Sequence, residues 1–228
     1  MGAVAVVPAR GGSRRLPGKN LVEVAGKPLL VHTVEQALAA RRVAEILVST
    51  DDERIAAVAR AAGASVIERP AELAGDHASS ESAVLHALDA RGGPDPEIVV
   101  LLQATSPVRR PSDIDAAIAL VEDGDADSAF SAVPGHVWLW EETPDGLRSV
   151  SYDWRARPRS QDMAPQLMED GSIYVTRTAL LRRTGNRLGG RIAAHRMAHD
   201  RPIDLDDARQ LPELEAALIA LGDERPGH

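Results

Sequence analysis

Ala3-Val4-Ala5-Val6-Val7-Pro8-Ala9-Arg10-Gly11-Gly12-Ser13-Arg14-Arg15-Leu16-Pro17-Gly18-Lys19-Asn20 begins as an apolar run and ends as a loop rich in glycine and positive charge. An apolar run that opens at once into such a loop reads as a buried strand of a parallel sheet, with a ligand at its carboxyl end. Gly11, Gly12 and Gly18 let backbone N–H groups approach an anion, while Arg10, Arg14, Arg15 and Lys19 supply charge. That is equipment for a nucleoside triphosphate. Two commoner loops are excluded by spacing. Five residues separate Gly12 from Gly18, and Asn20 follows the lysine where Walker A needs Ser or Thr; the G-x-G-x-x-G dinucleotide pattern is missing too.

Of the chain's 26 basic residues, all but Lys19 and Lys27 are arginine, and both lysines lie in or just after this loop. A chain that otherwise chooses arginine keeps lysine where a compact ammonium is wanted beside a phosphate oxygen. Chance within an arginine-rich composition is the other reading, and it weighs more for Lys27.

Outward from the loop, short apolar runs alternate with amphipathic segments. The pattern predicts strands over 3–7, 45–49, 64–67, 98–102 and 128–133, and helices over 29–40, 52–62, 80–90 and 112–122. Asp51 is placed to cap one helix, Gly63 to end it, and Pro111-Ser112-Asp113 to open another. Such alternation predicts an α/β fold, a mostly parallel sheet with helices on both faces. Gln103-Ala104-Thr105-Ser106-Pro107 then emerges on the same sheet edge as the first loop, and the two loops together outline a crevice. Gln103 and Thr105 also suit an ordinary turn.

Composition narrows the partners. With 228 residues the chain fits one domain carrying a modest insertion. A net charge of −8 argues against a nucleic-acid partner, and the cations collected at one loop suit a small anionic ligand. Long apolar segments and a signal peptide are both missing, so neither membrane insertion nor secretion is expected. The lack of cysteine fits a cytoplasmic location.

From Pro134 the character changes. All six aromatic residues, Phe130, Trp138, Trp140, Tyr152, Trp154 and Tyr174, lie between 130 and 174. Trp138 and Trp140 alternate as on one face of a strand, and Pro144-Asp145-Gly146 is a turn before a second strand. A two-stranded ribbon cannot bury such rings alone, so they pack on the parent domain or on a second copy.

Arg157 and Arg159 next to Gln161 suit recognition of a carboxylate, since a guanidinium grips both oxygens; a solvated charged loop is the plainer reading. Asp204 and Asp206, two residues apart, point to one side of an extended segment and can hold a hard cation such as Mg2+. Asp207 is read as a helix cap, with the last helix over 207–221. Ser79 is likewise a cap by position. His195 and His199 lie four apart without the pattern of a zinc site, and 192–197 reads as a strand.

Taken whole, residues 8–20 resemble the signature of the CMP-sialic acid synthetase (acylneuraminate cytidylyltransferase) family. Further matches lie at 103–107, 161–174 and 204–206, so the resemblance runs from residue 3 to about 215. It implies a Rossmann-like nucleotidyltransferase sheet with a dimerisation segment inserted at about 134–175, and a homodimer whose arm reaches the partner's active site. It implies that the first loop, Ala9 to Arg14 with Lys19 and Asn20, binds CTP, with Arg10 and Lys19 at the phosphates. Ser79 falls in a stretch, His77-Ala78-Ser79-Ser80, that helps hold the base.

Gln103, Thr105, Arg157, Arg159, Gln161, Asp170 and Tyr174 would line the acceptor-sugar pocket, and Asp204 with Asp206 would hold Mg2+, making Arg10, Lys19 and Asp206 the catalytic set. The implied reaction activates a 3-deoxy-ulosonic acid to its CMP-sugar with release of pyrophosphate. Four departures stand out: Arg14 replaces a lysine, Ala104 a proline, Ser160 an arginine and Asp170 an asparagine. Two alternatives stay open, another acid such as a phosphonate or a different ulosonate, and a non-catalytic nucleotide-binding protein of the same fold.

Overall fold

The computed structural model describes residues 2–13, 15–75 and 78–223. In chain order it runs β1 (Ala3–Pro8), a small hairpin of β2 (Glu23–Val24) and β3 (Lys27–Pro28), α1 (Leu29–Ala39), β4 (Val43–Thr50), α2 (Glu53–Ala61), β5 (Ser65–Glu68), α3 (Ser80–Arg91), β6 (Ile98–Leu102) and α4 (Pro111–Glu122). Then come β7 (Ser128–Pro134), a second hairpin of β8 (Trp140–Thr143) and β9 (Gly146–Ser149), β10 (Leu167–Arg177), α5 (Thr178–Thr184), β11 (Ile192–Arg196) and α6 (Leu211–Asp223). Seven strands form the central sheet in the order β11-β7-β10-β6-β1-β4-β5. All neighbours pair in parallel except β10, which runs antiparallel to both β6 and β7.

Strand periodicity sorts the core. Ala3, Ala5 and Val7 of β1, with Val100, Leu102, Ile173 and Val175, face α1, α2 and α4 through Leu30, Val34, Ile55, Ile114 and Ile118. The alternate residues Val4, Val6, Val99, Leu101 and Tyr174 face α3 and α5 through Val84, Leu88 and Leu181. Both faces are therefore apolar and both are covered, which is why the strands read as unbroken apolar runs. A third cluster seats α6 through Leu214 and Leu218 on Val24, Leu29 and Leu205, fastening the C-terminal segment beside the first loop.

The expected strands and helices are present with ends displaced by a residue or two. Three assignments change. β10 is a full strand of eleven residues, a stretch for which the sequence predicts no strand. Its ladder shifts register between Glu169 and Tyr174, where Gly171 takes φ +78°, and that break hides the alternation. The last helix begins at Leu211, because Asp207 caps a separate short turn, 208–210, by accepting the Arg209 N–H at 2.9 Å. Trp138 precedes β8, so the two tryptophans do not share a strand; they meet instead around Tyr152, with ring centroids 4.6 and 6.0 Å from it.

Capping at α2 also differs from expectation. Asp52 caps it, accepting the Arg54 N–H at 2.8 Å and lying within reach of Ile55 N–H, which frees Asp51 for another task. Hydrogen bonds from Arg54 hold the Asp52 carboxyl down at about 2. Replacing Asp52 with Ala is expected to cost about 1 kcal/mol, the usual value of such a cap. Urea unfolding measures it, and an unshifted midpoint would contradict the assignment.

Candidate active site

The carboxyl ends of β1, β5 and β6 face one cleft of about 560 Å3, within the ~300–1,000 Å3 of small-molecule sites. β1 sits between β4 and β6, so the chain leaves β1 where the sheet order reverses, the usual ligand position in such sheets.

The first loop forms one wall. Pro8, Arg10, Ser13, Arg15, Lys19 and Asn20 line it. Gly18 makes the turn into Lys19 in the left-handed region at φ +70°, which is why glycine stands there. Asn20 is buried, and its side-chain amide donates to the Arg10 carbonyl at 3.1 Å, bracing the loop from inside. Arg10 reaches across to the Gly75 carbonyl at 2.8 Å.

Gly11 plays a different part from the one expected. Its N–H donates to the freed Asp51 carboxylate at 2.9 Å, so it is not presented to the cleft. Glycine is needed there because a side chain would run into Asp52, 2.8 Å from a built Cβ. Ala9 is likewise turned into the sheet, its N–H on the Ser49 carbonyl at 2.9 Å, and Ser13 N–H returns to the Gly11 carbonyl at 3.1 Å. Neither Ala9, Gly11 nor Gly12 lines the cleft. Arg14 and His77 lie outside the described residues.

The opposite wall carries the acids. Asp204 and Asp206 both line the cleft. The Lys19 ammonium donates to Asp206 Oδ1 at 3.0 Å and to the Leu205 carbonyl at 3.1 Å, while Arg15 reaches Asp206 Oδ2 at 2.7 Å. Residues almost 190 positions apart thus meet in one charged cluster. Burial pushes the Asp204 carboxyl above its ordinary value, and the neighbouring Asp206 charge adds to the rise. Two close carboxylates, one of them unsettled by the other, form a donor set that a hard dication fits, since Mg2+ takes one or two carboxylates and completes its shell with water and phosphate oxygens.

Gln103, Ala104 and Thr105 close the cleft's floor, and Ser79 and Ser80 its far side. Ser79 also caps α3, its hydroxyl accepting the Ser82 N–H at 3.0 Å. Ala104, in place of the family's proline, is 2 % exposed and packs into the core. Thr105 reaches the acidic wall directly, its carbonyl accepting the Leu205 N–H at 2.8 Å.

Arg69 belongs to the cleft although sequence reading passed over it. It is buried at the end of β5, with Nε on Ser49 Oγ at 3.0 Å and a terminal nitrogen on the Ser49 carbonyl at 2.5 Å. Burial holds its guanidinium below the ordinary arginine value. Its signal was positional, the first residue past a strand that ends on the ligand edge.

Several expected acceptor-pocket residues lie elsewhere. Tyr174 is buried under the sheet, its hydroxyl donating to Glu169 Oε2 at 2.8 Å and its ring beneath Arg187 at 4.7 Å. Burial and the Glu169 charge push that phenol well above its ordinary value. Asp170 is buried too, bonded to Ser131 and to the Ser172 N–H. Both side chains are buried because β10 is a central strand, paired on both sides. Arg157, Arg159 and Gln161 sit on the segment between β7 and β10, outside this chain's cleft. Arg157 stacks 4.3 Å over Trp138 and Arg159 pairs with Asp162 at 2.7 Å. Lys27 pairs with Glu35 on the surface, His195 with Asp113 at 3.0 Å and His199 with Asp170 at 3.4 Å.

Among the described residues, no helix is long and apolar enough to cross a membrane. The chain is similar to N-acylneuraminate cytidylyltransferase A of Danio rerio, 32 % identical over 222 residues that make up 96 % of this chain and 51 % of that protein. It is 31 % identical over 211 residues to the N-acylneuraminate cytidylyltransferase of Streptococcus agalactiae serotype III, covering 90 % of this chain and 51 % of that one. The chain spans about half the length of these curated relatives. Its fold is that of a solved CMP:2-keto-3-deoxy-manno-octonic acid synthetase complexed with CTP, with TM-score 0.74, 24 % identity and coverage of 96 % of this chain and 99 % of that one. A 4-diphosphocytidyl-2C-methyl-D-erythritol synthase from Anaerococcus prevotii follows at TM-score 0.65, 10 % identity and 96 % coverage of each. The family model described as Cytidylyltransferase matches residues 4–220, nearly the whole sheet and both walls of the cleft. The chain therefore belongs to the cytidylyltransferase family of nucleotidyltransferases.

Proposed function

We propose that the protein activates a 3-deoxy-ulosonic, sialic-acid-like substrate to its CMP-sugar, using CTP and releasing pyrophosphate. The observation that carries this reading is the meeting of Lys19 with Asp206 inside a cleft whose other walls are Arg10, Ser79 and Gln103. Cations for a triphosphate and carboxylates for its counterion face each other there. The two curated relatives are both named for the same transfer to an N-acylneuraminate.

In the proposed reaction the anomeric hydroxyl oxygen bonds to the α-phosphorus as the bond to the bridging oxygen breaks. The electron pair leaves with pyrophosphate and the hydroxyl proton is lost to solvent. Negative charge grows on the departing phosphates, so Arg10 and Lys19 stabilise the transition state more than the ground state. Gln103 and Thr105 orient the acceptor on the floor, while Ser79 and Asn20 define the nucleotide end. Asp204 and Asp206 would hold Mg2+, which when bound supplies Lewis-acid stabilisation of phosphate charge and acidifies the attacking hydroxyl.

The segment between β7 and β10 is proposed to be a dimerisation arm. Val137, Leu139, Trp140, Leu147, Val150 and Trp154 are all exposed on it, more apolar surface than one small hairpin carries without a partner. Arg157, Arg159 and Gln161 on that arm would then serve the acceptor pocket of the second copy. The lack of cysteine suits the cytoplasm.

The buried position of Asp170 removes one reason to favour a different acid, because its charge does not face the cleft. The expected result is release of pyrophosphate from CTP with Mg2+ and N-acetylneuraminic, legionaminic or pseudaminic acid, followed by a coupled phosphate assay. Release with 3-deoxy-manno-octulosonic acid alone would keep the 3-deoxy-ulosonic class but overturn the sialic-acid-like acceptor, release with a phosphonate alone would overturn both, and no release with any acid would favour a non-catalytic nucleotide binder.

A further inference from the structure

Behind the cleft a line of buried polar groups crosses the molecule without touching the solvent of the site. Arg109 is 1 % exposed. One terminal nitrogen donates to the Ser106 carbonyl and Ser172 Oγ, each at 2.8 Å, and to the carbonyls of Gln103 and Ser172 at 3.2 Å; the other donates to Thr33 Oγ1 at 2.6 Å. Ser172 passes the line on, its N–H donating to Asp170 Oδ1 at 3.1 Å. Asp170 Oδ2 meets His199 Nε2 at 3.4 Å.

His199 stands on the loop from β11 to α6, the loop that delivers Asp204 and Asp206. That loop is fastened at one end by Met197 N–H on the Ala132 carbonyl at 2.8 Å and near the other by Leu205 N–H on the Thr105 carbonyl at 2.8 Å. Between them the His199–Asp170 contact ties the loop to the buried line, while Arg201 pairs at the surface with Glu213.

Burying a guanidinium and a carboxylate is expensive, and a well-packed apolar core of similar volume is often at least as stable. Arg109 pays part of that cost openly, since its Nε–H finds no acceptor among the described residues. Burial lowers its guanidinium to about 9 and raises the Asp170 carboxyl, but hydrogen bonds from His199, Ser131 and Ser172 outweigh the latter and keep Asp170 below its ordinary value. Both groups therefore stay charged. What they touch explains their presence: Arg109 grips the carbonyls of the 103–106 turn that forms the cleft floor, and Asp170 grips the loop that carries the acidic wall.

We propose that Arg109, Asp170 and His199 are positioning residues that hold the acceptor floor and the Asp204–Asp206 pair in register with each other. This inference rests on the functional reading above. It also accounts for an aspartate where the resembling family has asparagine, since here the position answers a histidine.

The test is His199→Ala, an edge position of the line that is 18 % exposed and leaves the core packed, alongside His199→Gln, which can still donate to Asp170, and Asp170→Asn. Mn2+ binding is read by paramagnetic resonance, CTP binding in EDTA by calorimetry, and turnover by pyrophosphate release. Expected for His199→Ala is about a tenfold weaker Mn2+ affinity and about tenfold lower kcat, the low end for groups that orient metal-holding side chains. CTP affinity in EDTA should stay within about twofold, because the first loop is untouched. His199→Gln should recover most of the loss, Asp170→Asn should follow His199→Ala, and Arg201→Ala on the same loop, an exposed partner of Glu213, should change neither quantity.

A lowered melting temperature with unaltered Mn2+ affinity would reduce the line to a structural role and overturn the inference. Wild-type protein that neither binds Mn2+ nor releases pyrophosphate would overturn the functional reading, and this inference with it. Normal wild-type behaviour with an unaltered His199→Ala would overturn this inference alone.

Discussion

Asp206→Ala is expected to lower kcat for pyrophosphate release by roughly a hundred- to a thousand-fold, the range for losing one preorganised electrostatic group. Three features put the effect in turnover. Asp206 faces the cleft, its two oxygens are each in contact with a cation of the first loop, and Asp204 stands beside it. Removing it leaves Asp204 as the single carboxylate for the proposed counterion. Folding should hardly change, because Asp206 is 41 % exposed and its pairs with Arg15 and Lys19 are of the kind worth about 0–1 kcal/mol. Steady-state kinetics beside a thermal melt separates the two outcomes. A variant that turns over within tenfold of wild type would remove Asp206 from the catalytic set.

Lys19→Ala is expected to cost about a hundredfold in kcat/KM for CTP, and its signature differs in kind. The ammonium is the more buried of the two cations on Asp206, 18 % exposed against 73 % for Arg15. A charge that shielded interacts more strongly with phosphate than one in open water. Lys19→Arg should recover only part of the loss, since a planar fork on a longer stem does not place a point charge where Nζ sits. Lys19 neutralises Asp206, so its removal should tighten binding of Mn2+ alone while weakening that of CTP. Calorimetric titrations of each ligand measure both signs. Weaker Mn2+ binding together with weaker CTP binding would point to a collapsed loop and not to a lost ammonium.

Much of the architecture was legible because it follows from local rules. The apolar run 3–7, the continuous burial of 98–102 and the capped amphipathic segments between them specify a parallel sheet covered on both faces, and a loop at a strand's carboxyl end specifies the ligand edge. Lys19 and Asp206 were both legible as residue types, but their contact depends on α6 docking beside the first loop through Leu205, Leu214 and Leu218, which no local pattern encodes. Two of the misplaced acceptor-pocket residues share one cause. In 167–177 an antiparallel partner on each side makes a central strand of a stretch to which the resemblance gives a pocket-lining role, which buries Tyr174 and Asp170. Gly11 misled for a related reason, because its missing side chain makes room for Asp52 and its N–H is already given to Asp51. A glycine-rich stretch announces that something comes close without saying what.

The reversed direction of β10 settles where new sequence can be added. With β6 and β7 both antiparallel to it, β7 leaves the sheet at the same rim on which β6 delivers Gln103, and the chain re-enters through Leu167 on that rim. Everything between is a tether with both moorings at the mouth of the site. It can lengthen, shorten or change its tip without shifting a single rung of the sheet, so on the function proposed above acceptor preference and subunit pairing could diversify while the nucleotide half stays fixed.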